Sequence, residues 1–378
     1  MPDKNTSVFI CGDLAPVGKV KPQAEIVTHD LKKVISDSSV RIVNLECPLT
    51  NSSTQVKKSG PPLKASPEQI KILTNIGFNV AALANNHIMD LGEEGISDTI
   101  SICRNNNIET VGAGKNAKEA SKILYLHSEG LNIGIINLCE QEFSIAFENI
   151  AGANPADPVS AFYQIREAKE RSDYVLVIFH GGHEYYNLPS LRIKKLFRYF
   201  ADCGADAVIG HHPHRIGGYE VYEGKPLFYS LGNFLFDDDN EPEFWYEGIG
   251  VNLIVSRHNT VEFSIYPFEQ CKGEPEVKLM NENDRNRILL EIEKLNEIIA
   301  DDGLLEKNWK EFAGRSSDNI IKNLMNMSRA KRLLYNKNIF KESLINEEHL
   351  INLLNLTRCE SLRDVTIYSV KNKLNLKN

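Results

Sequence analysis

The chain has 378 residues, of which 42% are hydrophobic and 25% are charged, and its net charge is −8. This composition excludes disordered and collagen-like classes, and the chain shows neither the roughly 18 consecutive apolar residues of a membrane helix nor a secretory signal. Residues 281–378 carry 17 Lys and Arg against 15 Asp and Glu, so the preceding residues hold 26 against 36, and a body with a net charge of −10 repels nucleic-acid duplexes.

Up to Pro275, β-branched runs alternate with amphipathic segments, a pattern that predicts an α/β layered fold. The last strands follow one another without helices, so part of the sheet should be antiparallel. The predicted strands are Val8–Cys11, Val40–Asn44, Val80–Leu83, Ile133–Leu138, Val175–Phe179, Ala207–Ile209, Leu227–Ser230, Gly250–Val255 and Val261–Pro267. The predicted helical segments include Pro67–Ile76, Gly92–Asn105, Pro158–Arg171 and Ser190–Asp202.

After Pro275 the composition becomes that of a helical appendage. No proline follows, and Ile288, Ile292, Leu295 and Ile299 recur at the spacing of one helix face. We therefore expect a domain of residues 1–275 and a helical appendage of residues 276–378. The appendage offers a surface for oligomer formation or for a partner.

The seven cysteines are scattered along the chain and form no CxxC pair. Scattered thiols of this kind are typical of buried, reduced cysteines in a reducing compartment. We therefore expect the protein to be cytoplasmic.

Residues of metal-binding type follow five of the predicted strands. They are Asp13, Glu46, the run 85–87 (Asn-Asn-His), His180, and the histidines His211, His212 and His214. Because ligands bind beyond the carboxyl ends of strands in α/β sheets, we expect these side chains at one edge. Neutral imidazoles beside carboxylates suit Zn, Mn or Fe better than Mg or Ca, and two such ions about 3.5–4 Å apart can clamp a phosphoryl group.

Each of these residues also has an ordinary structural interpretation when it is taken alone. Asp13 fits a turn, Glu46 a solvated loop and His87 a satisfied core histidine. The pair His212 and His214 is more specific, because an HxH step points both rings to one side of an extended segment. The recurrence at five strand ends favours a metal site.

The motifs around these residues resemble the CapA family, which comprises capsule and poly-γ-glutamate synthesis proteins within the calcineurin-like metallophosphoesterase superfamily. The resemblance covers about residues 7–268, with the motifs in family order. The matching stretches are Gly12-Asp13, Asn44–Glu46, Ala84–Gly92, His180–Tyr185, Gly210–His214 and Tyr229–Phe234.

The resemblance implies a four-layer α/β/β/α metallophosphoesterase sandwich that holds two divalent ions, Mn²⁺, Fe²⁺ or Zn²⁺. Glu46 would bridge both ions, and Asn86 and His87 would be catalytic, with His87 as the general acid while water attacks phosphorus. The implied ligands are Asp13 and His214 on the first ion, and Asn86, His180 and His212 on the second. The implied reaction is hydrolysis of a small anionic phosphate ester or diester.

Three departures from the family pattern qualify this expectation. The superfamily has a histidine two residues after the aspartate, where this chain has Ala15. One ligand of the first ion is therefore either missing or supplied elsewhere, and we expect that ion to bind weakly. His211 competes with His212 as a ligand. Gly181 stands where CapA proteins usually have tryptophan, which predicts a more open pocket wall.

Further residues are candidates for substrate binding. Lys64 lies on a loop that would swing over the metals, Glu184 and Arg215 flank the histidine motifs, and Asn233 would steady a ligand through its amide. Each of these residues is also compatible with an ordinary surface or turn position. Asp90 is expected to cap the next helix.

A second function remains open at this point. The family is named for polymer assembly, so the protein is alternatively a non-hydrolytic component that binds an acidic polymer such as poly-γ-glutamate. The sequence leaves open the substrate, the metal identity and the oligomeric state.

Overall fold

The computed structural model describes residues 5–22, 25–58, 60–256, 262–324, 328–337, 347–358, 366–367 and 370. The chain divides into two compact units, residues 1–306 and 307–378. The strands are β1 (Thr6–Ala15), β2 (Val40–Leu45), β3 (Val80–Ala82), β4 (Glu109–Val111), β5 (Ala113–Gly114), β6 (Leu124–Ser128), β7 (Leu131–Cys139), β8 (Gly152–Ala153), β9 (Tyr174–His180), β10 (Ala207–His211), β11 (Tyr219–Tyr222), β12 (Lys225–Phe228), β13 (Asn233–Phe236), β14 (Glu247–Val255), β15 (Glu262–Gln270) and β16 (Val277–Leu279).

The helices of the first unit are α1 (His29–Ser36), α2 (Ile70–Ile76), α3 (Gly92–Asn105), α4 (Ala117–Ala120), α5 (Pro158–Arg171), α6 (Leu191–Cys203) and α7 (Glu282–Ala300), followed by the start of α8 (Asp302–Leu324). The second unit contains the rest of α8, α9 (Arg329–Asn336) and α10 (Glu347–Arg358). Short 3₁₀ turns occupy Pro67–Gln69 and Glu243–Tyr246. Among the described helices, none combines the length and the apolar character needed to cross a bilayer.

Two large sheets form the body of the first unit. One has the order β16-β15-β14-β1-β2-β3-β4, with β13 also paired to β1, and the other has the order β11-β12-β10-β9-β7-β6. Strands β1 to β4 are parallel, as are β7, β9, β10 and β12. The pairs β14–β15 and β15–β16 are antiparallel, so the predicted mixture of strand directions is confirmed.

Alternation of side chains along β1 builds the layers. Phe9 and Cys11 pack into a core with α1, α2 and α3, whereas Val8 and Ile10 face a second core shared with the other sheet. Helices α5 and α6 pack on the strands of that other sheet. The predicted four-layer α/β/β/α sandwich is therefore confirmed.

Helix α7 belongs to the first compact unit although it follows the change of composition at Pro275. Its residues Ile288 and Ile292 are buried in the core between the sheets, and Asn296 Oδ1 accepts a hydrogen bond from the Tyr219 amide at 2.7 Å. The unit therefore extends to Glu306 and includes the first part of the predicted appendage. A separate function for residues 276–378 stays a prediction.

The cysteines in the described part of the chain are Cys11, Cys47, Cys103, Cys139, Cys203 and Cys271, and all six are buried and free. Cys359 lies outside the described residues.

Candidate metal centre

Strand ends from both sheets bring the predicted ligands together around Glu46. Its Oε1 lies 3.5 Å from Nε2 of His180 and 3.7 Å from Nε2 of His214. Ligand atoms of Asp13, Glu46 and His180 all lie within 4.8 Å of one another, and so do those of Glu46, His212 and His214. The sixth predicted ligand, Asn86, places its Oδ1 3.0 Å from Nε2 of His180. All six residues therefore share one buried centre.

Asn44 links the Asp13 carboxylate on β1 to His180, which lies at the end of β9 in the other sheet. Its Nδ2 donates a hydrogen bond to Oδ1 of Asp13 at 2.8 Å and lies 3.1 Å from Nδ1 of His180. The other Asp13 oxygen accepts the backbone N–H of His212 at 3.1 Å. Sequence reasoning quoted Asn44 only as part of a motif. The available signal was a single amide residue within the apolar run that forms β2.

A glycine allows β13 to approach the end of β1. A Cβ added to Gly12 would lie 1.9 Å from the carbonyl oxygen of Gly232, so a larger residue cannot occupy this position. The close approach pairs Asn233 with Asp13 in the strand register. Asn233 Oδ1 then accepts Nδ1–H of His214 at 2.9 Å, while its Nδ2 donates to the carbonyl of Trp245. This leaves Nε2 of His214 facing Glu46.

The loop after β10 delivers two histidines from unusual backbone conformations. His212 has φ 98° and His214 has φ 53°, both in the left-handed region that non-glycine residues rarely adopt. The expectation that this HxH step is extended is therefore wrong. The His212 ring lies 4.9 Å from that of His180, centroid to centroid. Strained backbone at the end of a strand, where it aims side chains into a site, is typical of functional loops.

His211 has a different environment from its neighbour. Its Nδ1 lies 3.1 Å from Oδ1 of Asp13, and its side chain is buried. His211 belongs to neither of the two groups of mutually close ligand atoms found among the described residues, whereas His212 does. The geometry therefore favours His212 as the ligand and leaves His211 as a neighbour of the Asp13 carboxylate.

The electrostatics of the centre suit a cation. Burial raises the pKa of Glu46 well above its ordinary value, and the Asp13 and Glu184 charges raise it further. Within the described structure neither Glu46 carboxylate oxygen has a hydrogen-bond partner. Burial, followed by the charge of His214, lowers the pKa of His212 to about 3, so its imidazole is neutral. Unpartnered carboxylate oxygens and neutral imidazoles are a donor set that fits a divalent transition-metal ion.

The Asp13 carboxylate keeps its charge in the same surroundings. Burial alone would raise its pKa, but the contact with His211 and the charges of His180 and His214 bring the pKa below its ordinary value. Burial and the charge of His212 keep the pKa of His180 well below its ordinary value. The surroundings therefore favour the charged form of Asp13 and the neutral form of His180.

His87 lies beside this centre and is held by a carboxylate. Its Nδ1 lies 2.6 Å from Oδ2 of Asp90, and Lys58 Nζ lies 2.5 Å from the other Asp90 oxygen. The expectation that Asp90 caps α3 is wrong, because the residue at the N-cap is Leu91 and no side chain caps the helix. Sequence reasoning missed Lys58 and the partnership of Asp90 with His87. An aspartate three residues after a loop histidine was the available signal.

The remaining predicted substrate residues fall in different places. Lys64 Nζ donates to the carbonyls of Asn51 and Ser52, which ties the loop and does not place the ammonium among the ligand atoms. Glu184 is exposed, and its negative charge raises the pKa of Glu46.

Arg215, which directly follows His214, lies with its guanidinium 4.6 Å above the Phe244 ring. Its Nη2 is 3.9 Å from Oε1 of Glu291 on α7.

The Glu140 side chain packs against Gly181 in the wall beside His180. A Cβ added to Gly181 would lie 2.7 Å from Cβ of Glu140 and 2.8 Å from the Phe179 ring. Glu140 fills this space, where its Oε2 accepts the Gly182 amide at 2.9 Å and its Oε1 pairs with Arg192 at 2.6 Å. A carboxylate side chain that directly follows β7 therefore occupies the space that a larger residue at position 181 would need, and the more open wall stays a prediction.

These features define the class of the protein as a four-layer sandwich with a buried carboxylate–histidine centre at its strand ends. The family of the Bacterial capsule synthesis protein PGA_cap matches residues 7–238, more than half of the chain. The chain belongs to this family, and the resemblance to CapA proteins is confirmed.

Relatives with known names agree with this membership. The chain is 41% identical over 179 residues to the PGA biosynthesis protein CapA of Bacillus subtilis, covering 46% of this chain and 47% of the relative. It is 32% identical over 241 residues to the Capsule biosynthesis protein CapA of Bacillus anthracis, covering 61% and 57%. A Probable polyglutamine synthesis accessory protein of Mycobacterium tuberculosis is 26% identical over 228 residues, covering 56% and 57%. The chain thus spans about half the length of the curated relatives it matches.

Proposed function

We propose that the protein is a metal-dependent phosphoesterase that hydrolyses a small anionic phosphate ester or diester. The observation that supports this most is the Glu46 carboxylate, which is fully buried, has no hydrogen bond among the described residues and faces imidazoles from two directions. Burying an ionised carboxylate without a counter-charge is unfavourable. A pair of divalent cations would supply that charge.

The ligands would divide between the two ions as the family resemblance implies. Asp13 and His214 would hold the first ion, Asn86, His180 and His212 would hold the second, and Glu46 would serve both. Mn²⁺, Fe²⁺ and Zn²⁺ all suit this set of oxygen and nitrogen donors. Such ions supply Lewis acidity that polarises a phosphoryl group and makes water a nucleophile at neutral pH.

His87 acts as the general acid in this proposal. As water attacks phosphorus, the bond from phosphorus to the leaving oxygen breaks and its electron pair stays on that oxygen. His87 donates the proton that the oxygen then needs, and general acids of this kind contribute about 10²–10⁴-fold to rate. Asp90 holds Nδ1, so Nε2 is the nitrogen that donates. Arg215 and Glu184 are the candidates for contacts with the rest of the substrate, and Lys64 would need to leave its carbonyl partners to take part.

The family membership favours a second candidate, a non-hydrolytic component that binds an acidic polymer such as poly-γ-glutamate. The charge around the centre argues against it. The negative charges of Glu184 and Glu142 both reach Glu46 and raise its pKa, and both residues are exposed. A polyanion that extends beyond the metal ions would meet these carboxylates, whereas a small phosphate ester would not.

Metal content and turnover test the proposal together. Elemental analysis of the purified parent should find divalent metal that is lost in Glu46→Ala and His214→Ala, and kept in Glu184→Ala as the carboxylate control. The Mn²⁺-loaded parent should hydrolyse generic phosphomonoesters or phosphodiesters, and His87→Ala should lose about 10²–10⁴-fold of that activity while keeping its metal. Equal metal content in all variants would overturn the metal centre. Tight binding of poly-γ-glutamate without any turnover would favour the second candidate.

The cytoplasmic location stays a prediction.

A further inference from the structure

Lys58 reaches the carboxylate that holds His87 from a loop outside the metal ligands. Its ammonium lies 2.5 Å from Oδ1 of Asp90, and the Lys58 side chain is 7% exposed. Asp90 is 1% exposed, and its other oxygen contacts Nδ1 of His87 at 2.6 Å. The Leu63 amide donates to that same oxygen at 2.7 Å. A buried carboxylate therefore joins one cation, one imidazole and one backbone amide.

The geometry fixes which atom carries the proton between His87 and Asp90. A carboxylate oxygen has only lone pairs to offer, so a nitrogen 2.6 Å away from it must bear hydrogen. Lys58 Nζ is 3.2 Å from the same Nδ1, but that nitrogen has no lone pair left to accept from it. The ammonium therefore acts on the Asp90 carboxylate and not directly on the ring.

Hydrogen bonds hold the loop that carries Lys58 against Asp90 and against helix α3. The Val56 amide donates to the Asp90 carbonyl at 3.1 Å, and Ser52 Oγ donates to Glu94 on α3 at 2.7 Å. Lys64 ties the two sides of the loop together through the carbonyls of Asn51 and Ser52. These bonds present Lys58 to Asp90 in one position.

We propose that Lys58 is a positioning residue for His87, acting through Asp90. Its charge pairs with the buried Asp90 carboxylate and holds it in place, since an unpaired carboxylate at this depth is strongly unfavourable. The carboxylate in turn holds Nδ1–H of His87 and leaves Nε2 to serve the leaving group. This inference rests on the proposed function for its catalytic consequence, whereas the hydrogen bond itself does not depend on turnover.

A spectroscopic experiment tests the hydrogen bond without any assay of activity. In the Zn²⁺-loaded protein labelled with ¹⁵N-histidine, Nδ1–H of His87 should give a downfield proton resonance, assigned by its loss in His87→Gln. The resonance should persist in Lys58→Arg and disappear in Lys58→Met. Lys57→Met is the matched control, because Lys57 is the exposed neighbouring lysine, and it should leave the resonance unchanged. Persistence of the resonance in Lys58→Met would overturn the proposal.

Kinetics with two kinds of leaving group test the catalytic consequence. For alkyl esters, whose leaving oxygen needs a proton, Lys58→Met should lower kcat about 10–100-fold. This is the usual loss, about 10–100-fold, when a hydrogen-bond partner of a functional group is removed. Nitrophenyl esters, whose leaving group needs none, should change little, and KM should stay the same. An equal loss for both esters, or a loss confined to KM, would contradict a positioning role.

A comparison of variants covers the case in which Lys58→Met fails to fold. Asp90→Asn removes the buried negative charge, so the double variant with Lys58→Met leaves no unpaired ion. If Lys58 acts only through Asp90, the double variant should match Asp90→Asn in both rate and spectrum, because effects along one chain of contacts are not additive. A further loss in the double variant would show that Lys58 acts elsewhere. A parent that hydrolyses neither ester would overturn the proposed function and leave the spectroscopic result to decide on Lys58.

Discussion

Replacing Glu46 by glutamine should change the stability of the protein in opposite directions with and without metal. In the metal-free protein burial, together with the charge of Asp13, raises the pKa of Glu46 well above its ordinary value. A raised pKa in the folded state means that the carboxyl group favours folding at low pH and that this contribution is lost as the pH rises through the folded pKa. At neutral pH, where the carboxyl group of the unfolded chain is ionised, burial of Glu46 therefore opposes folding.

The size of the effect follows from the contacts of the carboxylate. Leaving a buried polar group without hydrogen bonds costs about 1–3 kcal/mol, and more for a charged group, and neither Glu46 oxygen is bonded in the described structure. Glutamine leaves a neutral amide equally unbonded, so metal-free Glu46→Gln should be more stable than the parent at neutral pH only by the excess cost of burying a charge, on the order of 1–3 kcal/mol. The difference should shrink towards acid pH, where the parent's carboxyl group is protonated.

Added metal should reverse the order. A ligand at 100 times its dissociation constant stabilises a protein by about 2.7 kcal/mol, and the variant lacks the anionic oxygen that both predicted sites share. Urea unfolding between pH 5 and pH 8, with a chelator or with Mn²⁺, measures both effects, and Glu184→Gln serves as the exposed control. A variant that is less stable than the parent without metal, or that gains as much from Mn²⁺, would refute the reasoning.

Three further changes have expected outcomes. Asn233→Ala removes the bond that orients His214, so calorimetric metal affinity should fall about 10–100-fold while urea unfolding of the metal-free protein changes less; unchanged affinity would contradict this. Gly12→Ala places a Cβ 1.9 Å from a backbone oxygen, so its unfolding free energy should fall by at least about 1–3 kcal/mol, and a stable variant would argue against the paired β13. Truncation after Glu306 should keep the cooperative unfolding of the first unit, whereas truncation after Met280 should lose it. The shorter form lacks the four buried α7 side chains of residues 288, 292, 295 and 299, worth about 1.5–3 kcal/mol each as an upper bound.

Much of the sandwich was predictable because its strands have simple patterns. Short β-branched runs such as Val175–Phe179 fall inside observed strands, and buried parallel strands are nearly continuous apolar runs. Short strands such as β5 and β8 were not predictable, because two residues leave no periodicity to detect. The core that α7 covers was not predictable either, since composition reports a change of element type and not which core a helix face will cover.

The candidate centre likewise has features that the sequence predicts and features that it does not. Residues of metal-binding type follow the predicted strand ends, so the candidate ligands from Asp13 to His214 could be predicted from the sequence alone. The orientation of each ligand could not be nominated, because it depends on residues distant in the chain, such as Asn44 between Asp13 and His180 and Asn233 behind His214. The left-handed backbone of the histidine loop likewise has no signature in the residues themselves.

By itself, the sequence of this protein determined the layered architecture, the family and the kinds of side chain that meet at the strand ends, because local periodicity and residue chemistry are properties of short segments. Only the tertiary structure decided that His212 and not His211 falls in a group of mutually close ligand-type atoms, that Asp90 holds His87 and does not cap a helix, and that Lys58 and not Lys64 reaches this carboxylate. Those outcomes depend on distances between segments that lie far apart in the chain, and these distances are set when the two sheets pack and bring their strand ends together.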